Sequence, residues 1–171
     1  MPRCLLRNGQ VVIDEWLYVA EAAAQEAAMT AAVPLIVRFS QWQSAPDTWT
    51  ARGSRLGVLL SPADKVEQLA PHLARFALVA AEFHGPGEGR GYTQGRLLRE
   101  RWNFTGELRA SGYVRRDQLF FMARCGFDSF ELPESELQDA ATALSTFTAA
   151  YQTCNDAGLP LKLPRDIPAN A

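Results

Sequence analysis

Lysine is almost missing from this chain of 171 residues. Only Lys65 and Lys162 are lysines, so fifteen of the 17 basic residues are arginine. The 17 basic residues nearly cancel the 19 acidic ones, for a net charge of -2. This balance argues against binding to nucleic acid or to an anionic membrane surface. The arginine bias has two interpretations, a GC-rich genome or guanidinium groups that bind carboxylate, phosphate or sulfate through two bonds.

Cysteine, histidine and long apolar runs are also scarce. The three cysteines, Cys4, Cys125 and Cys154, are far apart and form no CxxC pair. We therefore expect no disulfide framework, iron–sulfur cluster or zinc ribbon within one chain. The two histidines have no second ligand at suitable spacing, so no metal site is predicted. Apolar runs fall short of the about 20 residues of a membrane helix, and the first residues lack the apolar region of a signal peptide. We expect a reduced, cytoplasmic protein without a membrane partner.

Short apolar runs alternate with helical patterns from residue 34 onward. The runs cover residues 35–39, 56–60, 77–83, 108–111 and 129–132. Such alternation is typical of right-handed βα crossovers. It predicts an α/β fold with a parallel sheet of about five strands. The repeat fits an open doubly wound sheet and half of a (βα)8 barrel equally well, so both alternatives stay open.

The remaining local signals predict a hairpin and several helices. Asn8-Gly9 supplies the two positive-φ positions of a type I′ turn, which predicts an N-terminal β-hairpin. Ser61 is expected to cap a helix that Pro71 kinks or ends. We expect residues 1–155 to form one α/β domain and residues 156–171 to form a flexible tail. Other helices are predicted over residues 20–32, 93–102, 116–125 and 133–151.

Three segments follow predicted strands, at the sheet edge where α/β proteins bind ligands. They cover residues 84–92, 112–117 and 133–136. The first has glycine at every second position from 85 to 91, but no frame matches GxGxxG and no GK[ST] occurs. Neither a dinucleotide fingerprint nor a Walker A loop is therefore predicted. The alternatives are an anion site of backbone N–H groups and Arg90, or a flexible surface loop.

Arginine is concentrated between residues 90 and 124. Eight arginines against three acids leave +5 in this segment, and the rest of the chain carries -7. The excess predicts a basic rim for an anionic ligand or an acidic partner, although arginines on helices also simply solvate an exposed face. No catalytic residue is predicted, because GxSxG is absent and Cys125 ends a predicted helix, where the dipole opposes a thiolate. The predicted anion- or partner-binding residues are Arg90, Gly91, Tyr92, Arg115, Arg116 and Asp117.

Five short motifs carry a resemblance to a known family. They are GRGY from residue 89, LLR from 97, GELR from 106, DQLFF from 117 and RCGFD from 124. With weaker echoes near Asn8-Gly9, Trp42 and Ser61-Pro62, the chain resembles the bacterial family called domain of unknown function 934, often labelled a probable oxidoreductase. The family often has Asp just before GRGY, where this chain has Glu88.

The resemblance implies a cellular context more than a reaction. Such proteins are typically encoded beside assimilatory sulfite reductase in proteobacteria. The resemblance therefore predicts an accessory protein that docks on sulfite reductase or its electron donor. The alternative is a small enzyme or binding protein for a sulfur oxyanion, phosphate or nucleotide at the arginine- and glycine-rich rim. A homodimer is a third alternative. No cofactor is predicted, although a flavin phosphate at the rim stays open.

Overall fold

A computed structural model describes residues 3–19, 33–51 and 55–146 of the chain. The strands are β1 (Cys4–Arg7), β2 (Gln10–Ile13), β3 (Leu17–Tyr18), β4 (Leu35–Arg38), β5 (Leu56–Leu60), β6 (Leu78–Phe83), β7 (Glu107–Gly112) and β8 (Ser129–Phe130). The α-helices are α1 (Phe39–Ser44), α2 (Pro46–Thr50), α3 (Val66–Leu69), α4 (Arg90–Arg96), α5 (Leu119–Arg124) and α6 (Leu137–Thr146). Short 3₁₀ segments cover Ala70–Arg75, Arg116–Gln118 and Glu134–Glu136, and a π-helical turn covers Leu97–Arg101. The predicted helix over 20–32 and the predicted tail over 156–171 lie outside the described residues.

The strands of the described ranges form one sheet in the order β2-β1-β8-β7-β6-β5-β4-β3. Neighbours from β3 to β8 are parallel, whereas β1 pairs antiparallel with both β2 and β8. From β3 to β8 the strand order follows the chain without reversal. A doubly wound sheet reverses its order at a switch point. The structure therefore favours the half-barrel over the doubly wound alternative.

Chain connectivity forces this sheet to curl. Strands β2 and β3 are its two edges, yet only residues 14–16 join them. Four extended steps along the chain reach about 14 Å, whereas seven strand spacings in a flat sheet span about 34 Å. The edges must therefore approach each other. In agreement, the Tyr18 hydroxyl of β3 lies 2.5 Å from a carboxylate oxygen of Glu131, the residue after Phe130 of β8.

The two faces of the sheet carry different side chains, because neighbouring residues of a strand point to opposite faces. The convex face is apolar and packs against the helices through Leu35, Val37, Val58, Leu60, Val79, Ala81, Leu108, Ala110 and Phe130. The concave face carries a smaller apolar cluster of Trp16, Ile36, Leu59, Leu78 and Ala80. The main core thus lies between the sheet and its helices. The concave face also carries polar and charged side chains, among them Arg38, Glu82, Arg109, Ser111 and Ser129.

The predicted strands are confirmed to within two residues of their bounds. The hairpin is also confirmed, with positive φ angles of 50° at Asn8 and 76° at Gly9. Strand β3 is a further parallel strand that the sequence does not predict, because two residues are too few to show an alternating pattern. The parallel part of the sheet therefore has six strands in the described residues, where about five are predicted.

Within the described residues, the predicted helices are confirmed except at one cap. The predicted helices 93–102, 116–125 and 133–151 overlap α4, α5 and α6 with their adjoining turns, and α4 begins three residues earlier than predicted, at Arg90. Pro71 ends the α-helical geometry, because α3 stops at Leu69 and continues as a 3₁₀ segment. Ser61 as the helix cap is wrong, since α3 begins at Val66. The Ser61 N–H instead donates to the Asp64 carboxylate at 2.7 Å and closes a turn before the helix.

Candidate functional site

A cleft opens on the concave face, at the carboxyl ends of the parallel strands. Its volume is about 650 Å³. Ile36 and Leu59 form its floor. Its mouth carries polar side chains from the ends of successive strands, namely Tyr18, Arg38, Glu82, Ser111 and Glu131. Because barrel proteins bind their ligands at this end of the strands, the cleft is the candidate functional site.

Arg38 of β4 reaches across β5 to pair with Glu82 of β6. Its Nη1 lies 3.1 Å from Glu82 Oε2 and its Nη2 lies 3.5 Å from Oε1. The ring Nε2 of His84 lies 3.1 Å from the same Oε2. Burial opposes ionisation of Glu82, but the hydrogen bonds with Arg38 and His84 outweigh it and hold the pKa of Glu82 below its ordinary value. The Arg38 guanidinium remains about half exposed at the mouth, with 48% of its side-chain surface accessible.

Glu131 collects hydrogen bonds from several elements of the curled sheet. Tyr18 Oη donates to its Oε1 at 2.5 Å, and Ser111 Oγ donates to its Oε2 at 3.0 Å. Arg3 Nη2 lies 3.0 Å from Oε1. Burial, and then the charge of Glu131, raise the pKa of Tyr18 well above its ordinary value. The phenol therefore keeps its proton at neutral pH and serves as a hydrogen-bond donor.

A charged layer lies beneath the mouth, centred on the fully buried Arg109. Its Nη1 lies 3.0 Å from Asp14 and 3.4 Å from Glu131, and its Nη2 lies 2.9 Å from Glu107. Burial disfavours the charged guanidinium, but Glu107 and Asp14 outweigh that cost and raise the pKa of Arg109. Burial likewise opposes ionisation of Glu107, and Arg109 outweighs it, so the pKa of Glu107 is lowered. This layer ties residues 14–16 to β7 and holds Glu131 in place.

Two further arginines line the cleft, and each lies over a tyrosine ring. The guanidinium carbon of Arg3 lies 5.1 Å from the centre of the Tyr18 ring, and that of Arg115 lies 5.2 Å from the Tyr113 ring. Arg115 Nη1 also donates to Glu136 at 2.7 Å, and this bond raises the pKa of Arg115. Both side chains remain about half exposed, at 55% for Arg3 and 43% for Arg115. Three exposed guanidinium groups therefore surround one cleft.

Residues 57–162 match the model of the family described as "Bacterial protein of unknown function (DUF934)". The matched span covers more than half of the chain. The chain belongs to the DUF934 family. A comparison with curated proteins finds no match. The DUF934 match contains the part of the cleft built from β5 to β8, whereas Arg3, Tyr18 and Arg38 precede it in the chain.

Of the six residues predicted to bind an anion or partner, Arg115 lies in the cleft of this DUF934 protein. Arg116 and Asp117 lie beside it in a neighbouring depression that Glu136 and Asp139 also line. Glu136 accepts from Arg115 and, at 3.4 Å, from the backbone N–H of Arg116, while Arg116 Nη1 lies 3.8 Å from Asp139. The predicted rim segments 112–117 and 133–136 are thus brought together.

The other three predicted residues, Arg90, Gly91 and Tyr92, are not among the described residues that line the cleft. Arg90 is exposed, and its Nε donates to Glu88 at 2.8 Å. Gly91 is buried, and a Cβ there would come within 2.6 Å of the Phe83 ring, so glycine permits α4 to pack closely on β6. The Tyr92 ring packs on the same phenylalanine at 5.0 Å. The DUF934 fold therefore gives Gly91 and Tyr92 packing contacts, and anion binding by this trio stays a prediction.

Most residues of the cleft are not predicted from the sequence. A signal was nevertheless present, because a polar residue follows the apolar part of several strands. Arg38 ends the run LIVR and Glu82 is the penultimate residue of LVAAEF. Side chains at alternate strand positions share a face, so these residues belong to the concave face together with Ser111. The residues missed are Arg3, Tyr18, Arg38, Glu82, Ser111 and Glu131.

The described ranges contain neither a candidate metal cluster nor a helix that could span a membrane. Within residues 3–19, 33–51 and 55–146, no group of three His, Cys, Asp or Glu residues is placed to hold a metal ion. Across the same parts of the chain, the helices are too short or too polar to cross a bilayer. The acidic residues of the cleft are instead engaged with arginines, serine and tyrosine.

Proposed function

We propose that this DUF934 protein binds a small oxyanion ligand of assimilatory sulfite reduction in the cleft of its half-barrel. One observation carries the proposal, namely that Arg3, Arg38 and Arg115 come from separate segments and line the same cleft. A guanidinium suits an oxyanion because its planar N–H groups bind two oxygens at once. The context of sulfur assimilation comes from the family resemblance, and the ligand class comes from these arginines.

The carboxylates of the cleft leave the arginines able to bind a ligand. Among the described lining residues, Glu82 and Glu131 stand against three arginines, so the lining carries a net positive charge. A guanidinium has five N–H donors, and both ion pairs of Arg3 use the same nitrogen, Nη2. As far as contacts with the described residues go, the other donors of Arg3 are therefore open to an oxyanion at the mouth.

Ligand-dependent thermal unfolding tests this function. Sulfite, sulfate, phosphate and adenosine 5′-monophosphate (AMP) are titrated against the full-length protein and its Arg38→Ala and Arg115→Ala variants. A ligand at 100 times its Kd stabilises a protein by about 2.7 kcal/mol, which raises Tm by about 5–11 °C at this chain length. We expect this rise for at least one of the four anions in the wild type, and a clear reduction in both variants.

Two control variants locate the site. Arg90→Ala removes the cation of the glycine-rich segment, and Arg96→Ala removes an exposed cation of α4 that pairs with Glu100 at 3.1 Å. Both variants should keep the ligand response of the wild type. Loss of the response in Arg90→Ala alone would move the site to the glycine-rich segment. A wild type that responds to none of the four anions would contradict the oxyanion function.

A second function, docking on sulfite reductase or its electron donor, is favoured by an exposed aromatic side chain on α5. Phe121 is 53% exposed, and its ring packs on that of Tyr92 at 5.0 Å. Arg116 begins the turn that leads into this helix, and its side chain is 57% exposed. Aromatic and arginine residues are enriched at protein interfaces and their energetic centres. Of the predicted partner-binding residues, Tyr92 thus contacts Phe121, and Arg116 precedes it by five residues along the chain.

Co-purification with the sirohaem-containing reductase tests the docking function. We expect the full-length protein to bind the reductase at micromolar concentrations and the Phe121→Ser variant to lose that binding. Ile13→Ser is the matched control, because Ile13 is also an exposed apolar side chain, at 66%, but lies on the edge strand β2 and not on α5. A wild type that stays monodisperse and unassociated with the reductase and with its electron donor would contradict docking.

A further inference from the structure

We infer that the cleft takes an organic phosphate or sulfate ester, with the oxyanion at the arginines and the organic group against the tyrosine rings and the apolar floor. This inference rests on the proposed oxyanion function and narrows its ligand class. The inference depends on two places in the cleft where a guanidinium group lies over an aromatic ring, Arg3 over Tyr18 and Arg115 over Tyr113.

The size of the cleft favours an organic ligand over an inorganic ion. The cleft volume is about 650 Å³. If each heavy atom takes the roughly 30 Å³ of a liquid water molecule, an oxyanion of four or five atoms fills at most about 150 Å³. Pockets of about 300–1,000 Å³ are typical for organic ligands of cofactor or drug size. A bare sulfite or phosphate ion would leave most of the cleft to water.

The floor and walls offer contacts that an inorganic oxyanion cannot use. Ile36 and Leu59 close the bottom of the cleft with hydrocarbon and are only 0% and 5% exposed, so the floor is firm and gives no hydrogen bonds from its side chains. Tyr113 and Pro133 add partly exposed apolar surface after β7 and β8. A ring or hydrocarbon group gains by covering such surface. These contacts therefore select for a ligand with an organic portion.

The guanidinium groups of the cleft lie next to its apolar and aromatic surface. The Arg115 guanidinium lies over the Tyr113 ring, and the Arg3 guanidinium lies over the Tyr18 ring. Arg38 adds a further half-exposed guanidinium at the mouth. An ester joins the two matching features in one molecule, since its oxyanion accepts from guanidinium N–H groups while the esterified group lies against the ring beside them.

Calorimetric titration of the full-length protein tests the ester class. The probes are inorganic phosphate, inorganic sulfate, phenyl phosphate, 4-nitrophenyl sulfate, AMP and adenosine. We expect at least one of the three esters to bind ten or more times more tightly than both inorganic anions. We also expect adenosine, which lacks the oxyanion, to bind at least ten times more weakly than AMP.

Variants of the protein distinguish the contacts to the organic group of the ligand from the contacts to its oxyanion. Tyr113→Ala should bring the affinity of the best ester close to that of the inorganic anion and leave the inorganic anion unaffected, whereas Tyr113→Phe should retain the ester preference. Arg38→Ala should weaken esters and inorganic anions alike, and Arg96→Ala, which removes an exposed cation of α4 outside the cleft, should weaken neither. If the inorganic anions bind as tightly as every ester, the inference is overturned while the oxyanion function stands. If no probe with an oxyanion binds, both are overturned.

Discussion

The concave face of the half-barrel holds two layers of ion pairs that differ in their access to water. In the inner layer, the Arg109 side chain is 0% exposed and its partner Asp14 is 1% exposed. In the outer layer, Arg38 is 48% exposed and its partner Glu82 is 20% exposed. The N–O distances of the two pairs are nearly equal, at 3.0 and 3.1 Å. The two layers therefore differ in the exposure of their side chains to water and not in the N–O distances of their ion pairs.

This difference assigns the layers different roles. Desolvation costs several kcal/mol for each buried ion, and only a complete set of partners offsets that cost. Arg109 therefore cannot exchange its carboxylates without destabilising the fold. An exposed pair contributes about 0–1 kcal/mol, so a ligand can take the place of Glu82 at Arg38 with little loss. The inner layer holds the curled sheet together, and the outer layer is available for binding.

The largest effect on stability is predicted for the removal of Arg109 from the inner layer. Arg109→Met keeps most of the side-chain volume and leaves Asp14, Glu107 and Glu131 without their buried cation. We expect the free energy of unfolding, measured with urea at pH 7, to fall by about 3–5 kcal/mol. The control Arg96→Gln breaks an exposed pair on α4 and should change it by less than about 1 kcal/mol. If both variants lowered the free energy of unfolding equally, the buried ion pairs of the inner layer would contribute no more to stability than an exposed pair.

The next effect concerns acid stability. The pKa of Glu107 is lowered in the folded protein, so the carboxylate stabilises the fold above its unfolded-state pKa of about 4.3. That contribution is lost as the pH falls through the folded-state pKa. Glu107→Gln should lower the free energy of unfolding by about 2 kcal/mol at pH 7 and flatten its dependence on pH below about 4.3. An unchanged acid profile in urea unfolding would count against this account of Glu107.

A smaller effect on stability is expected at alkaline pH. It concerns Tyr18, whose hydroxyl donates to Glu131 between the two layers. The pKa of Tyr18 is raised on folding, so its contribution is present below the unfolded-state pKa of about 10 and declines as the pH rises further. Tyr18→Phe removes the hydrogen bond to Glu131 and should cost about 1 kcal/mol at pH 7. It should also make the loss of stability above pH 10 shallower, as urea unfolding at several pH values would show. A slope identical to that of the wild type would mean that Tyr18 does not contribute.

The smallest effect on stability belongs to the outer layer. Arg38→Ala removes an exposed ion pair with Glu82, so the free energy of unfolding should change by less than about 1 kcal/mol. The same variant should show a clearly reduced response to oxyanions, and this contrast sharpens the comparison with Arg109. A loss of several kcal/mol on urea unfolding would show that Arg38 is a structural residue.

The strands were predictable because the convex face is continuously apolar. Runs such as LGVLL are buried along their whole length in β5, and their order along the chain is their order in the sheet. The choice between an open sheet and a half-barrel was not predictable from these runs. It depends on the connection through residues 14–16 and on Arg109, which pairs with Asp14 of that connection and with Glu131 after β8.

Much of the candidate site was hidden for a different physical reason. Arg38 and Glu82 are single polar residues in apolar runs, and their meeting across β5 depends on strand register. Part of the site was predicted in the glycine-rich segment because of its unusual composition. In the structure, Gly91 of that segment allows α4 to pack closely on Phe83. Arg115 was predicted because it belongs to the segment after a predicted strand, and it lines the cleft. For the lining of the cleft, a polar residue at or after a strand end was therefore a better guide than glycine content.

Growth of a deletion strain on sulfate as sole sulfur source tests the central claim most directly, that the cleft carries the function. The strain is complemented with the wild type, with an Arg38→Ala/Arg115→Ala double variant, or with an Arg90→Ala/Arg96→Ala double variant of equal expression. We predict that the wild type and the second double variant restore growth on sulfate and sulfite, while the cleft variant grows only on sulfide or cysteine. Restored growth with the cleft variant and failure with the Arg90→Ala/Arg96→Ala variant would contradict the account.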